Sequence, residues 1–247
     1  MTPEVQELRD SLRASYPGCV DIDTDEGLIV VRRPTSAEFI EIEDAVISLV
    51  DLGAKLSPYA GLDAIKRVVV HPAPDRVEAL LNEYPRFFDQ LVTLARRAAQ
   101  GGSAGVSVRK VDLKDEELYT REAATDEGRR TKRSGGRIFA VECFTLRSAP
   151  GELRPELIIT GRHILRRLGL IEDRELKKEI TATGYTDEHG NKQPRNATLA
   201  KVARAHVLDN VPGCTVPDWE AHPHLLTLLG QAVITMSSIG IGSSSGK

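Results

Sequence analysis

The sequence predicts a mainly helical α+β protein: a small helical N-terminal domain with a short strand or hairpin, then a second, mixed α/β domain. Three observations carry this. Apolar residues recur at helical spacing from Val5 to Ala98. The runs Leu28 to Val31 and Ile138 to Leu146 are short, apolar and largely β-branched or aromatic, as strands are. Between them lies Gly101-Gly102-Ser103-Ala104-Gly105, a linker that lacks the Lys-Ser/Thr of a phosphate loop. The expected divisions are a helical domain over 1–101, a mixed domain over 102–236 and a Gly/Ser-rich tail over 237–247.

The elements follow in order. Thr2 caps a first helix with Pro3 at N1, and Val5, Leu8 and Leu12 form its apolar stripe. Tyr16-Pro17-Gly18 ends it, and Asp21, Asp23, Asp25, Glu26 and Gly27 read as an acidic turn before the strand Leu28 to Val31. Thr35 and Glu38 make a capping box that opens a helix to about Asp51, with Phe39, Ile42, Val46, Leu49 and Val50 inward. Ser57-Pro58 restarts the chain into a helix carrying Leu62, Ile65, Val68 and Val69. Pro74 and Asp75 open the next, which should bury Val77, Leu80, Leu81 and Tyr84 before Pro85 breaks it. The last helix of this half carries Phe88, Leu91, Leu94, Ala95 and Ala98.

Beyond the linker, Val106 to Leu113 reads as a strand, Lys114 to Thr125 as a polar helix and Ile138 to Leu146 as the strongest strand, with Glu142 its one charged residue. Pro155 is expected to open a helix with Leu157, Ile158, Ile164, Leu165 and Leu168, closed by Gly169. A short charged helix over Asp173 to Ile180 and a polar loop from Thr181 to Arg195 come next. Asn196 caps a helix with Leu199, Val202 and Val207, and Pro223 to Met236 is a near-continuous apolar helix.

Composition narrows the function classes. A hydrophobic fraction of 40% suffices for a packed core, and aromatics at 4% leave that core to Leu, Ile, Val and Ala. The formal charge of −3 is too small to steer the whole chain toward nucleic acid or an anionic membrane. Cys19, Cys143 and Cys214 are odd in number and widely spaced, as in a reduced, cytosol-like compartment. The N-terminus has no signal-peptide pattern, and no apolar run approaches the ~20 residues that span a bilayer.

From Val30 the order is distinctive. A strand runs into Arg32-Arg33-Pro34-Thr35-Ser36-Ala37-Glu38-Phe39. Later come Val68-Val69-Val70-His71-Pro72, a helix with Leu80-Leu81, then Tyr84-Pro85 and a helix ending at Gly101. Residues 30–101 thereby resemble the small tail-assembly chaperones of tailed bacteriophages and contractile injection systems. The resemblance implies a helical, non-enzymatic protein without a cofactor. Its partners would be tape-measure proteins, or tail-tube and baseplate-type proteins, with a homo-oligomer also compatible. It would act in the cytoplasm of a bacterial host or be incorporated in the tail particle. Residues 102–247 have no counterpart in the short members of that family.

Candidate chemistry is sparse. Cys214, His222 and His224 are the nearest approach to a metal cluster, with Asp218 or Glu220 as a fourth ligand, but no second cysteine lies near and surface capping is the simpler reading. Arg129, Arg130, Lys132, Arg133 and Arg137 form a basic loop suited to phosphate contacts, without an aromatic for base stacking and with Glu122, Asp126 and Glu127 just upstream. Ala197 to Arg204 resembles the opening helix of a helix-turn-helix, yet Pro212 and Pro217 obstruct the second. His163, His189 and His206 have no Ser or Cys nucleophile in a recognisable elbow. The expectation is a protein-binding chain, with nucleic-acid association through residues 129–137 and the helix from Asn196 as the alternative.

Overall fold

The computed structural model describes residues 3–50, 62–84, 87–100, 106–111, 138–147, 156–187, 189–208 and 217–238. Among these the protein is mixed α+β, with eight helices and three small antiparallel sheets. The chain forms two compact units. The first gathers Met1–Ala104, Tyr185–Ala197 and Asp218–His224, and the second Gly105–Gly184, Thr198–Pro217 and Leu225–Lys247.

In the first unit, α1 (Pro3–Ser15) leads into β1 (Val20–Thr24) and β2 (Gly27–Val31), an antiparallel hairpin pairing Val20 with Val31 and Thr24 with Gly27. The acidic residues do not form one turn: Asp21 and Asp23 lie within β1, and Gly27, at φ +115°, follows the tight turn. The chain needs glycine there because a side chain is strained at positive φ. Strand β3 (Val69–His71) pairs antiparallel with β2, so the valines expected to end a helix close a sheet of order β1-β2-β3.

Helices α2 (Ser36–Val50), α3 (Leu62–Val68), α4 (Pro74–Glu83) and α5 (Phe87–Ala99) pack with this sheet into one apolar cluster that includes Ile29, Val31, Ile42, Ile65, Leu80 and Leu91. The capping box forms as the sequence predicts. The Thr35 N–H donates to Glu38 Oε2 at 2.9 Å and the Glu38 N–H to Thr35 Oγ1 at 3.3 Å. Against the penalty of burial, Arg32 and Thr35 hold the Glu38 carboxyl down to about 2. Two expectations fail: Tyr84 is exposed, and α1 buries Arg9 rather than its apolar stripe, Leu8 being exposed. Ser57-Pro58 and Pro85 fall outside the described residues.

The second unit is built on a sheet of order β4-β5-β6, with β4 (Val106–Val111), β5 (Ile138–Arg147) and β6 (Glu156–Arg166) all antiparallel. Strand β6 is the largest departure from expectation, since Pro155 to Leu168 reads as a helix by the spacing of its apolar residues. Gly161 would cost a helix about 1 kcal/mol, and Ile158-Ile159-Thr160 is a β-branched run, so pairing along the whole length of β5 wins. Gly169 does not close a helix either. It precedes α6 (Leu170–Thr183), its N–H donating to Glu172 Oε2 at 2.6 Å. The expected helix over 114–125, the basic loop over 129–137 and residues 239–247 are outside the described residues, and the tail expected from 237 is corrected at its start, since Ser237 and Ser238 end the last helix.

The expected polar loop 181–195 contains a two-stranded ladder, β7 (Tyr185–Thr186) with β8 (Lys192–Gln193), closed by Asp187 accepting from the His189 and Asn191 N–H groups. Helices α7 (Asn196–His206) and α8 (His224–Ser238) complete the fold. In the second unit they touch backbone to backbone, since a Cβ placed on Gly230 would lie 2.1 Å from the Leu199 carbonyl oxygen. Gly230→Ala gains about 1 kcal/mol of helix propensity and loses about 3 kcal/mol or more to overpacking, the top of the usual range, because a backbone carbonyl cannot swing aside. Thermal unfolding of the variant should therefore move several degrees below the parent; an unchanged or higher midpoint would contradict the close approach.

Candidate functional site

The site begins with a charge in the middle of a sheet. Glu142 is the central residue of β5 and is 3% exposed. The register sets Arg109 of β4 and Arg162 of β6 directly opposite it on either side. Arg162 reaches Glu142 Oε1 at 2.8 Å and Arg109 reaches Oε2 at 2.9 Å. Those two hydrogen bonds, from Arg162 and then Arg109, hold the carboxyl below its usual range against the opposing effect of burial. Both arginines are partly solvated, so the ladder anchors the carboxylate without sealing two further charges.

On the same sheet face, two and four residues along β5, come Phe144 and Leu146. The register pairs Phe144 with Ile159 and Leu146 with Leu157, after an irregularity between Cys143 and Phe144. Four apolar side chains from two strands thus share one face. Leu146 is 50% and Ile159 51% exposed, with Leu157 also exposed and Phe144 half-buried. The Arg109 guanidinium lies 5.7 Å from the Phe144 ring centroid, giving the patch a cationic rim. The opposite face is covered: Phe139, Val141, Cys143, His163 and Leu165 are buried, and burial pushes the Cys143 thiol up to about 11, far from a nucleophile's range. A second apolar pair, Leu170 and Ile171, stands exposed at the start of α6.

The residues singled out in the sequence fare differently. Arg129, Arg130, Lys132, Arg133, Arg137 and Cys214 lie outside the described residues. His222 and His224 are described, with ring centroids 6.0 Å apart, edge to face. His224 is buried and its Nδ1–H donates to the Ala99 carbonyl at 3.0 Å, which leaves the neutral ring one tautomer. Glu220 is committed elsewhere, accepting from the Ser36 N–H at 3.0 Å and from the Ser36 hydroxyl at 2.5 Å. Among the described residues no three His, Cys, Asp or Glu side chains converge as a metal site. His206 is buried against the Arg166 carbonyl at 3.0 Å, His163 is buried on the sheet, and His189 is exposed.

The patch itself escapes sequence reasoning because Leu157 and Ile159 are assigned there to a helix. A signal exists: two β-rich runs of similar length flank Ala149-Pro150-Gly151, as in a hairpin. Comparisons with family models, with curated proteins and with solved structures return no match for this chain.

Burial holds the His224 imidazole down to about 4, with His222 and Arg33 pushing the same way. The unfolded ring takes a proton near pH 6.5 and the folded one does not. The His224 contribution should therefore lower stability as pH drops from about 6.5 to about 4, by on the order of 3 kcal/mol, with no further loss from this group below that. Urea unfolding between pH 7 and 4.5 measures the slope. His224→Gln, which keeps a donor for Ala99, should flatten it; an unaltered slope would refute the assignment.

Proposed function

We propose that this chain is a non-enzymatic, protein-binding component of a phage-type tail, either an assembly chaperone or a structural part built on such a module. The observation that carries the reading is the apolar cross-strand patch of Phe144, Leu146, Leu157 and Ile159. Covering such a face releases about 25 cal/mol per Å² of apolar surface removed from water, and a cationic rim at Arg109 adds direction. Buried ionisable groups fit the same reading. Glu142 spends its charge on two arginines, and His206 and His224 bond to backbone carbonyls, so each acts to hold the fold.

The resemblance of residues 30–101 to tail-assembly chaperones supplies the partner class: a tape-measure protein, or a tail-tube or baseplate-type protein, with self-association as a further use of the same surface. Among the described residues no helix is long and apolar enough to cross a membrane. The proposed setting is the cytoplasm of a bacterial host, followed by incorporation into the particle where the protein is structural.

Co-expression with tape-measure-like and tube-like chains encoded nearby, followed by size-exclusion chromatography, tests this. The parent chain should co-elute with one of them. The double variant L157D/I159D, checked for an unchanged circular-dichroism spectrum, should elute alone. A parent that elutes without either partner, or a variant that keeps the full complex, overturns the proposal. Retention of duplex DNA with a steep salt dependence would instead favour nucleic-acid binding through residues 129–137.

A further inference from the structure

Helix α1 contributes none of the residues of the apolar cluster that defines the first unit, which draws on β1, β2, β3 and α2 to α5. Its one buried residue is Arg9, a charge. Val5 and Leu12 are only half-buried, and Leu8 is exposed. Two links join α1 to the unit: it lies against β2, whose Leu28 and Val30 are buried on the sheet face that carries Asp21 and Asp23, and its arginines clasp alternate residues of β1. Arg9 Nε lies 2.8 Å from Asp21 Oδ2 and its Nη2 lies 2.6 Å from Asp23 Oδ1. Arg13, one helical turn along, reaches Asp21 Oδ1 from Nε at 3.0 Å and from Nη2 at 2.7 Å.

Two guanidiniums at i and i+4 and two carboxylates at i and i+2 match the helical and strand periods, so both partners present their charges on one face. The chain between them turns at Gly18, at φ +79°, with the Arg33 guanidinium packed against it. That geometry gives α1 one pivot and one charged latch.

We propose that α1 is a displaceable arm, held on the first unit by the Arg9/Arg13–Asp21/Asp23 clasp and able to detach while the rest of the unit stays folded. Detachment uncovers a sheet face carrying Asp21 and Asp23 with Leu28 and Val30 beside them, and it frees the half-buried Val5 and Leu12 of the helix. The device does not depend on the identity of any partner. Re-covering Leu28 and Val30 favours the closed state at any salt, and the salt dependence follows from charge: the opened state hydrates all four groups, and salt screens the attraction that draws them back. A Debye length of about 3 Å at about 1 M salt leaves little beyond direct contact.

Amide hydrogen exchange of the full chain reads the two states separately, because local opening exchanges one segment without the rest. In the parent protein, raising NaCl from about 0.05 M to about 1 M should speed exchange in residues 4–15 at least about threefold, with α5 unchanged. Arg9→Gln keeps a hydrogen-bond donor and drops the charge. It should speed α1 exchange about tenfold or more at low salt, again with α5 unchanged. Exchange of α1 and α5 in step, or a parent helix indifferent to salt, would overturn the proposal. An Arg9→Gln protein that fails to fold would also overturn it, since Arg9 would then belong to the core.

Discussion

The buried carboxylate of Glu142 fixes the sheet on which the candidate surface stands. An ionised side chain in that position is tolerable only where guanidiniums meet it from both neighbouring strands. Sliding β4 or β6 by one residue would move an arginine to the other face and leave the charge under-partnered, at a cost of several kcal/mol. The ladder is therefore worth more as a specification of register than as a net source of stability. Register in turn decides that Phe144, Leu146, Leu157 and Ile159 emerge together on one face. The charged middle of the sheet and its greasy end are two consequences of one alignment.

The first unit uses the same chemistry to gather distant segments. Helix α2 receives Glu220 at its start, where Ser36 donates from both its N–H and its hydroxyl. From further along α2, Asp44 accepts from the Asn196 N–H at 2.6 Å and the Ala197 N–H at 3.2 Å, at the beginning of α7. Unsatisfied N–H groups at a helix start are a natural seat for a carboxylate. These contacts make residues 185–197 and 218–224 part of a unit whose remainder lies before residue 105. An apolar core made of short aliphatic side chains is completed by charged fastenings at its margins.

Legibility from sequence follows how local each signal is. Helices α2, α4 and α5 can be read directly because Thr35 with Glu38, Pro74, and the stripe from Phe88 to Ala98 are contained within the elements they define. Strands β3 and β6 resist reading because their apolar residues fit two periods, and only the pairing partner decides between them. Arg9 misleads for a related reason: its burial depends on Asp21 and Asp23 arriving on a strand rather than in a turn. The candidate surface inherits the ambiguity of β6. Glu142 stands out in the sequence as the one charge in an apolar run, yet Arg162 cannot be matched to it until β6 is a strand.

Function turns on whether the open end of the β4-β5-β6 sheet is where another protein sits. Amide hydrogen exchange on a purified complex with a tube-type or tape-measure-type chain locates the contact without any substitution. The account predicts slower exchange in residues 144–147 and 156–160 when the partner is bound, with the buried middle of β5 unaffected. Protection confined to other segments, with these two exchanging as fast as in the free chain, would contradict it.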